Sequence, residues 1–265
     1  MAPKATAAML IATATMVSMA CGRNDAPEPS GPAGRPPPAA KSVAPDQLLA
    51  APRVDGMRRL RHAMVDEQIV ARGVRNPRVL AAMRKVPRHE FVPDDVRHLA
   101  YRDHPLPIGH EQTISQPYIV ALITELAAVG PKAKVLEVGT GSGYQAAVLA
   151  EVVGTVYSIE IVAPLAARAK RTLSRLGFAN VHVRTGDGYR GWPEHAPFDS
   201  IVVTAAPPHV PEPLKQQLVV GGRLVIPVGR YHQDLRVITR TATGFEETKV
   251  LPVRFVPMTG EAEVE

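Results

Sequence analysis

Cysteine is nearly missing from this chain of 265 residues: Cys21 is the single thiol. One cysteine excludes an intrachain disulfide and a thiolate cluster around a metal. Aromatic residues are scarce as well, at 5% with one tryptophan, which predicts an aliphatic interior. The nine histidines contain no His-x-x-x-His or similar ligand spacing. Beyond Pro52 no apolar run is long enough to cross a bilayer, and no internal repeat is visible. The charges are unbalanced without being concentrated. The 31 basic residues exceed the 25 acidic ones, giving +6 and a pI near 9.6, and much of the excess lies between Arg53 and Arg102. These charges are dispersed among helical segments, neither gathered in one run nor interleaved with aromatics, so solvated helix faces are expected and a nucleic-acid partner is not. A weak preference for acidic partners through long-range steering remains open.

The 45% hydrophobic content suffices for one sizeable α/β core. The first residues stand apart from it. Met1 to Ala20 carries one lysine near its start, then a small-residue apolar run ending in Ser18-Met-Ala-Cys21. This resembles an export signal, too short for a stable span. Small residues before a lone cysteine also resemble a lipobox, in which Cys21 would become a lipidated N-terminus and a membrane tether. Ser18 departs from the large aliphatic residue usual there. The bland reading is a tail with an incidental thiol. Residues 22–52, rich in proline, alanine and glycine, read as a semi-extended linker. The domain is expected over residues 53–265.

Within it, Val135-Leu-Glu-Val-Gly-Thr-Gly-Ser-Gly-Tyr-Gln145 reads as a strand, a tight glycine turn and the start of a helix, the way an open α/β sheet builds a nucleotide site. Gly139, Gly141 and Gly143 are expected to let the backbone approach a ligand. A dinucleotide site prefers Gly-x-Gly-x-x-Gly facing a pyrophosphate. Here the third glycine comes one residue early, and Glu137 at the strand end suits a cationic ligand better. Val156-Tyr-Ser-Ile-Glu160 reads as the next strand, placing Glu160 where ribose hydroxyls are held. Adenosine with a positive charge describes S-adenosylmethionine, and the pattern resembles the first motif of class I methyltransferases. On this turn alone, nicotinamide or flavin dinucleotides remain the alternative.

Helices are expected over 57–72, stopped by Gly73, over 77–84, and from Pro117 to about Val129. Tyr101 to Gly109 has neither helix nor strand period and reads as irregular. Further strands are expected over 181–184, 198–204 and 222–228, with antiparallel closing strands at 235–239 and 246–253. The fold class is therefore α/β, a doubly wound Rossmann-like sandwich around a mostly parallel sheet. Thr113 and Ser115, just before a helix, have the bland reading of N-terminal caps. For Asp187 it is a turn residue, and for Glu160 a solvated strand end. Trp192 reads as packing, and His209 and His232 as loop bystanders.

From about Met64 to its end the chain resembles the protein-L-isoaspartate O-methyltransferase family. The resemblance rests on Val86-Pro-Arg88 with Phe91-Val-Pro93, Leu106-Pro-Ile-Gly109, Gln112-Thr-Ile-Ser-Gln-Pro-Tyr118, the glycine turn, Gly186-Asp-Gly188, Val203-Thr-Ala-Ala-Pro207, Ile226-Pro-Val-Gly229 and Arg254-Phe-Val-Pro257. The Thr-Ile-Ser-Gln-Pro block is the most specific. His110 and Glu111 stand where many members have a small residue, often glycine. The resemblance implies that Ser115 is the active-site hydroxyl, with Thr113 beside the cofactor in the same loop. It further implies that Glu137, Gly139, Gly141 and Gly143 shape the methionine end of the S-adenosylmethionine site, that Glu160 holds the ribose, and that Asp187 and Gly188 form the adenine turn. The implied substrates are peptides and proteins containing L-isoaspartate, whose free α-carboxylate is methylated in repair by a monomeric enzyme. No Gly-x-Ser-x-Gly elbow surrounds Ser115, so it reads as an orienting group rather than an acyl-transfer nucleophile. The rivals are a class I methyltransferase of a small molecule or RNA, and a non-catalytic ligand-binding lipoprotein.

Overall fold

The computed structural model describes residues 54–263, with side chains from Gly56. The expected export signal at 1–21, including Cys21, and the linker at 22–52 lie outside the described residues.

The domain opens with helices. α1 (Val54–Ala63) passes into a π turn over Met64–Ile69 and a 3-10 turn over Val70–Arg72, where Gly73 at φ +98 ends it. The single helix expected over 57–72 is thus three hydrogen-bonding patterns in succession, and Met64, Val65 and Ile69 are its buried side chains in the π turn. α2 (Pro77–Lys85) starts where the Asn76 side chain accepts the Arg78 N–H at 3.0 Å, with proline in the first turn.

The segment expected to be irregular is not. β1 (Leu106–Gly109) and β2 (Gln112–Ile114) form an antiparallel hairpin closed by His110 and Glu111, both left-handed at φ 55 and 58. Two-residue hairpin turns require that conformation, but neither residue favours it, and Pro107 argues against a strand. In β1 Leu106 and Ile108 turn inward, and in β2 Ile114, periods too short to read from sequence. The hairpin leads into α3 (Pro117–Leu126), whose cap position is Gln116 with no side-chain cap bond. Thr113 and Ser115 therefore do not cap the helix.

A seven-stranded sheet follows, in the order β5-β4-β3-β6-β7-β8-β9. β3 (Lys134–Val138), β4 (Thr155–Glu160), β5 (Val181–Thr185), β6 (Phe198–Val203) and β7 (Leu218–Val228) are parallel. β8 (Gln233–Arg240) and β9 (Phe245–Val253) close it antiparallel. The crossover elements are α4 (Tyr144–Ala150), α5 (Ala163–Arg175) and the short α6 (Glu212–Gln216).

Alternate strand positions feed two cores, as a side-chain period of two demands. Val135, Val202 and Val225 belong to the larger core with residues of α1 through α5. Leu136, Ile201 and Leu224 belong to a second core with Leu214 of α6, Tyr189 and Met258. The covering layers are therefore unequal, with one face bearing most of the helices. β3 is the middle one of the five parallel strands, and the chain leaves it toward β4 but later returns on its other side as β6. Ligands of such sheets bind outside the strand ends at this switch point.

Candidate active site

The turn from Gly139 to Gly143 emerges at that switch point. Its three glycines have φ values of 95, 53 and 89. A Cβ on Gly139 would overlap the Thr204 hydroxyl, which donates to the carbonyls of Gly139 at 2.6 Å and Val138 at 3.2 Å. Gly143 is the N-cap of α4, and a Cβ there would press on Ala169 and Leu173 of α5 at 3.3 Å. The three glycines are therefore not equivalent in this arrangement. Gly139 and Gly141 line the cleft, but Gly143 lies behind it and serves the packing of α4 on α5.

Glu160 closes the other side of the turn. Its Oε2 accepts the Gly141 N–H at 2.7 Å and its Oε1 the Val162 N–H at 2.9 Å, so it joins the turn to the start of α5. The side chain faces the cleft while only 5% of the residue is exposed.

Glu137 does not line the cleft. It is wholly buried beneath the turn, its Oε2 accepting a hydrogen bond from Ser158, whose Oγ lies 2.5 Å from Thr140 Oγ1. Only Thr140 of this chain of groups reaches the cleft wall. The Glu137 Oε1 has no partner among the described residues. Burial pushes its carboxyl up to about 8, against the Ser158 hydrogen bond, which favours ionisation, and with the Glu160 charge adding to the rise. At neutral pH it is mostly protonated, because an isolated buried carboxylate is too poorly solvated to persist.

This raised value sets a pH dependence. Between about 4.5 and 8 the folded chain retains a proton that the unfolded chain releases. The contribution to stability is therefore full below about 4.5 and is lost as the pH rises through 8. In Glu137→Gln this slope should vanish, so thermal midpoints should shift in the variant's favour as pH rises; parallel curves for the two proteins would exclude a raised Glu137.

Asp187 and Gly188 follow β5. Gly188 lines the cleft, and a Cβ there would overlap Val138. Asp187 does not reach the cleft wall. Its oxygens accept the Tyr189 N–H at 2.9 Å and the Glu261 N–H at 2.7 Å, so its carboxylate works as a turn residue that also tethers the end of the chain. The C-terminal segment thereby becomes a wall of the site. Ala206 donates to the Val256 carbonyl at 2.8 Å and Met258 donates back to Ala206 at 2.9 Å, while Arg190 grips Glu261 at 2.7 and 2.9 Å.

Opposite this wall stands the β1–β2 hairpin. Arg168 of α5 donates to the Ile108 carbonyl, and Ile108 is the side chain nearest to where a Gly141 Cβ would project, at 3.5 Å. The hairpin carries Thr113, and Ser115 follows it, over the cleft. Behind Ser115, Asp103 holds the loop by accepting from Gln116 Nε2 at 2.7 Å and from the Tyr118 N–H at 3.4 Å. A second groove runs outward between the start of α3 and residues 251–257. Thr113, Ser115, Thr204, Val256 and Pro257 line both spaces. Among the described residues the Ser115 hydroxyl has no hydrogen-bond partner, and it stands at the junction.

The geometry thus brings together Thr113, Ser115, Gly139, Gly141, Glu160 and Gly188, and sets Glu137, Gly143 and Asp187 behind them. Sequence reasoning passed over Thr204, Gln112 and the 256–259 wall. Val203-Thr-Ala-Ala-Pro207 and Arg254-Phe-Val-Pro257 were visible as motifs, but nothing in their composition declares a site. Trp192 packs against Tyr157 and His195 with Arg184 over its ring at 4.2 Å, and neither His209 nor His232 lines either space.

The family described as Protein-L-isoaspartate(D-aspartate) O-methyltransferase (PCMT) matches residues 59–263. A protein-L-isoaspartate O-methyltransferase of Gloeobacter violaceus is 63% identical over 200 residues, covering 75% of this chain and 98% of that one. One from Opitutus terrae is 58% identical over 203 residues, covering 76% and 87%. Among solved structures, a protein-L-isoaspartate O-methyltransferase superposes with a TM-score of 0.69 at 32% identity, covering 77% of this chain and 67% of that one. Another, from Plasmodium falciparum in complex with S-adenosyl-L-homocysteine, gives 0.66 at 26%, covering 75% and 98%. With the match running through the hairpin, the glycine turn and the C-terminal wall alike, this chain belongs to the protein-L-isoaspartate (D-aspartate) O-methyltransferase family.

Proposed function

We infer that this chain transfers a methyl group from S-adenosylmethionine to the free α-carboxylate of L-isoaspartyl residues in damaged peptides and proteins, and that the two spaces meeting at Ser115 divide the task between them. That junction carries the residue assignments: an inner cleft and an outer groove share walls, with an unengaged hydroxyl between them.

The inner cleft suits S-adenosylmethionine on its donor set. Its one charged lining residue is Glu160, and neither lysine nor arginine faces it. A pyrophosphate would find no countercharge there, whereas a ribose diol and a cationic centre find a carboxylate. Glu160 holds the ribose hydroxyls, Gly188 lies under the adenine, and Gly139 and Gly141 form the floor near the methionine end. Glu137 supports that floor from below through Ser158 and Thr140, and Asp187 supports the adenine end by holding the C-terminal wall.

S-adenosylmethionine, when bound, supplies an electrophilic sulfonium methyl that an aligned carboxylate oxygen can take up directly. Ser115 donates a hydrogen bond to one oxygen of the incoming carboxylate, leaving the other aimed into the inner cleft. Thr113 and the 256–259 wall exclude water from the line of approach, where orientation supplies much of the rate. The resulting methyl ester is open to attack by the following backbone nitrogen, which loses its proton as the acyl–oxygen bond breaks and methanol leaves. Its closure to a succinimide, which reopens partly to normal aspartate, makes the reaction a repair step.

The test uses residues 53–265 with methyl-labelled S-adenosylmethionine and two peptides that differ only in L-aspartate against L-isoaspartate. Base-labile label is expected on the isoaspartyl peptide alone. Label on neither peptide, despite cofactor binding, would move the assignment to another acceptor or to a binding protein.

The sequence of residues 1–21 supports export, with a lipid tether at Cys21 and a periplasmic or membrane-anchored location. A cytosolic protein with an intact N-terminus and no fatty-acid label would overturn that.

A further inference from the structure

The two spaces that meet at Ser115 carry opposite charge. The inner cleft is lined by one ionisable side chain, Glu160. The outer groove is lined by two, Arg72 and Arg254, and by no carboxylate. Their situations differ. Arg72 stacks on the Tyr118 ring at 3.5 Å and pairs with Asp103 at 2.9 Å. Asp103 is itself engaged by Gln116 and the Tyr118 N–H, so most of the Arg72 charge is answered locally. Arg254 is exposed just after β9, between the half-buried Val253 and Phe255, and no carboxylate pairs with it among the described residues. Beside it, the Phe255 backbone is fixed on both its polar groups. Its N–H donates to Gln233 Oε1 at 2.6 Å and its carbonyl accepts from Gln233 Nε2 at 3.1 Å. The neighbouring cation is therefore carried on an anchored stretch of wall.

The remaining lining of the groove is polar or apolar, with Gln116, Ile119, Leu251, Pro252 and Phe255 among its residues. It offers no pocket chemistry specific for one side chain, and backbone recognition of many sequences follows. Net charge is then the property by which it can discriminate among damaged sites.

We propose that Arg254, backed by Arg72, makes the outer groove select isoaspartyl sites whose flanking residues are acidic over sites flanked by lysine or arginine. This rests on the isoaspartyl methyltransferase reading and adds a substrate preference to it. The effect acts on encounter and binding rather than on the methyl transfer, because the groove charges stand outside the inner cleft.

The experiment uses residues 53–265 and three isoaspartyl peptides, identical except that the residues flanking the isoaspartate are glutamate, glutamine or lysine. KM and kcat are measured at low and at near-physiological salt. The expected result is a KM roughly fivefold lower for the glutamate peptide than for the lysine peptide, with similar kcat, and a ratio that shrinks as salt screens the groove. Arg254→Gln should narrow that ratio and Arg254→Glu should invert it, without a change in S-adenosylhomocysteine affinity. Equal KM values for all three peptides, or a ratio untouched by Arg254→Glu, would overturn the preference while leaving the activity standing. Failure of the glutamine peptide to be methylated at all would instead strike the underlying reading.

Discussion

Ser115→Ala is expected to lower kcat/KM for an isoaspartyl peptide about 10- to 100-fold, the range for losing one hydrogen bond to a charged group, ~1.5–3 kcal/mol. Affinity for S-adenosylhomocysteine should stay within about twofold, and the thermal midpoint should barely move. The argument turns on what Ser115 does not do. Its hydroxyl has no partner among the described residues and it caps no helix, so its removal leaves no buried group unsatisfied. A fold-supporting serine would show the reverse pattern, lost stability with the kinetic loss following from it. The measurement is steady-state kinetics beside calorimetric binding of S-adenosylhomocysteine. An unchanged kcat/KM would remove Ser115 from the reaction, and the junction would then have to be run by Thr113 or Thr204.

Gly139→Ala should do greater damage, and to a different quantity. At φ +95 an alanine costs ~1–2 kcal/mol for the left-handed backbone alone. The new Cβ would also overlap the Thr204 hydroxyl, which holds the carbonyls of Val138 and Gly139. If Thr204 rotates away, the one hydroxyl proton shared by those carbonyls is lost to them, at ~0.5–1.5 kcal/mol. If the turn moves instead, the floor of the cleft moves with it. Backbone and hydroxyl costs together come to about 2–3 kcal/mol, which corresponds to a loss of S-adenosylhomocysteine affinity of roughly 30- to 150-fold when it falls on the bound geometry. Gly244→Ala is the matched control, since nothing lies within 4 Å of a Cβ there and its backbone needs no left-handed φ. Gly139→Ala binding as tightly as Gly244→Ala would show that the turn tolerates a side chain and that its glycines have another cause.

These two positions also separate what sequence and structure contribute. The glycine turn was legible because its demands are local: an apolar strand, residues that must take positive φ, and a helix start lie within eleven consecutive residues. The strand ending at Glu160 and the turn at Gly188 were legible for the same reason, since a period-two apolar run and its stop are short-range patterns. The β1–β2 hairpin was not, because its turn is made by His110 and Glu111 in a conformation neither favours, and tertiary contacts at Ile108 and Arg168 hold it there. Glu137 and Asp187 were legible as residues, whereas the direction of their side chains was not. The sequence carries an acidic group at a strand end equally well whether it faces a cleft, bonds Ser158 beneath it, or ties down Glu261.

Taken alone, the sequence determined the α/β class, the order of most elements, the cofactor turn and the family to which the chain belongs. Only the tertiary structure decided which residues share a wall. Thr204, Ser115 and Pro257 come from three distant stretches, and they line two adjoining spaces because the sheet order sets β6 beside β3 and Ala206 fastens the C-terminal segment across the strand ends. Patterns of three to a dozen residues report the backbone preferences of their own segment, whereas a shared wall exists only after long loops have been closed by burial and hydrogen bonds elsewhere in the chain.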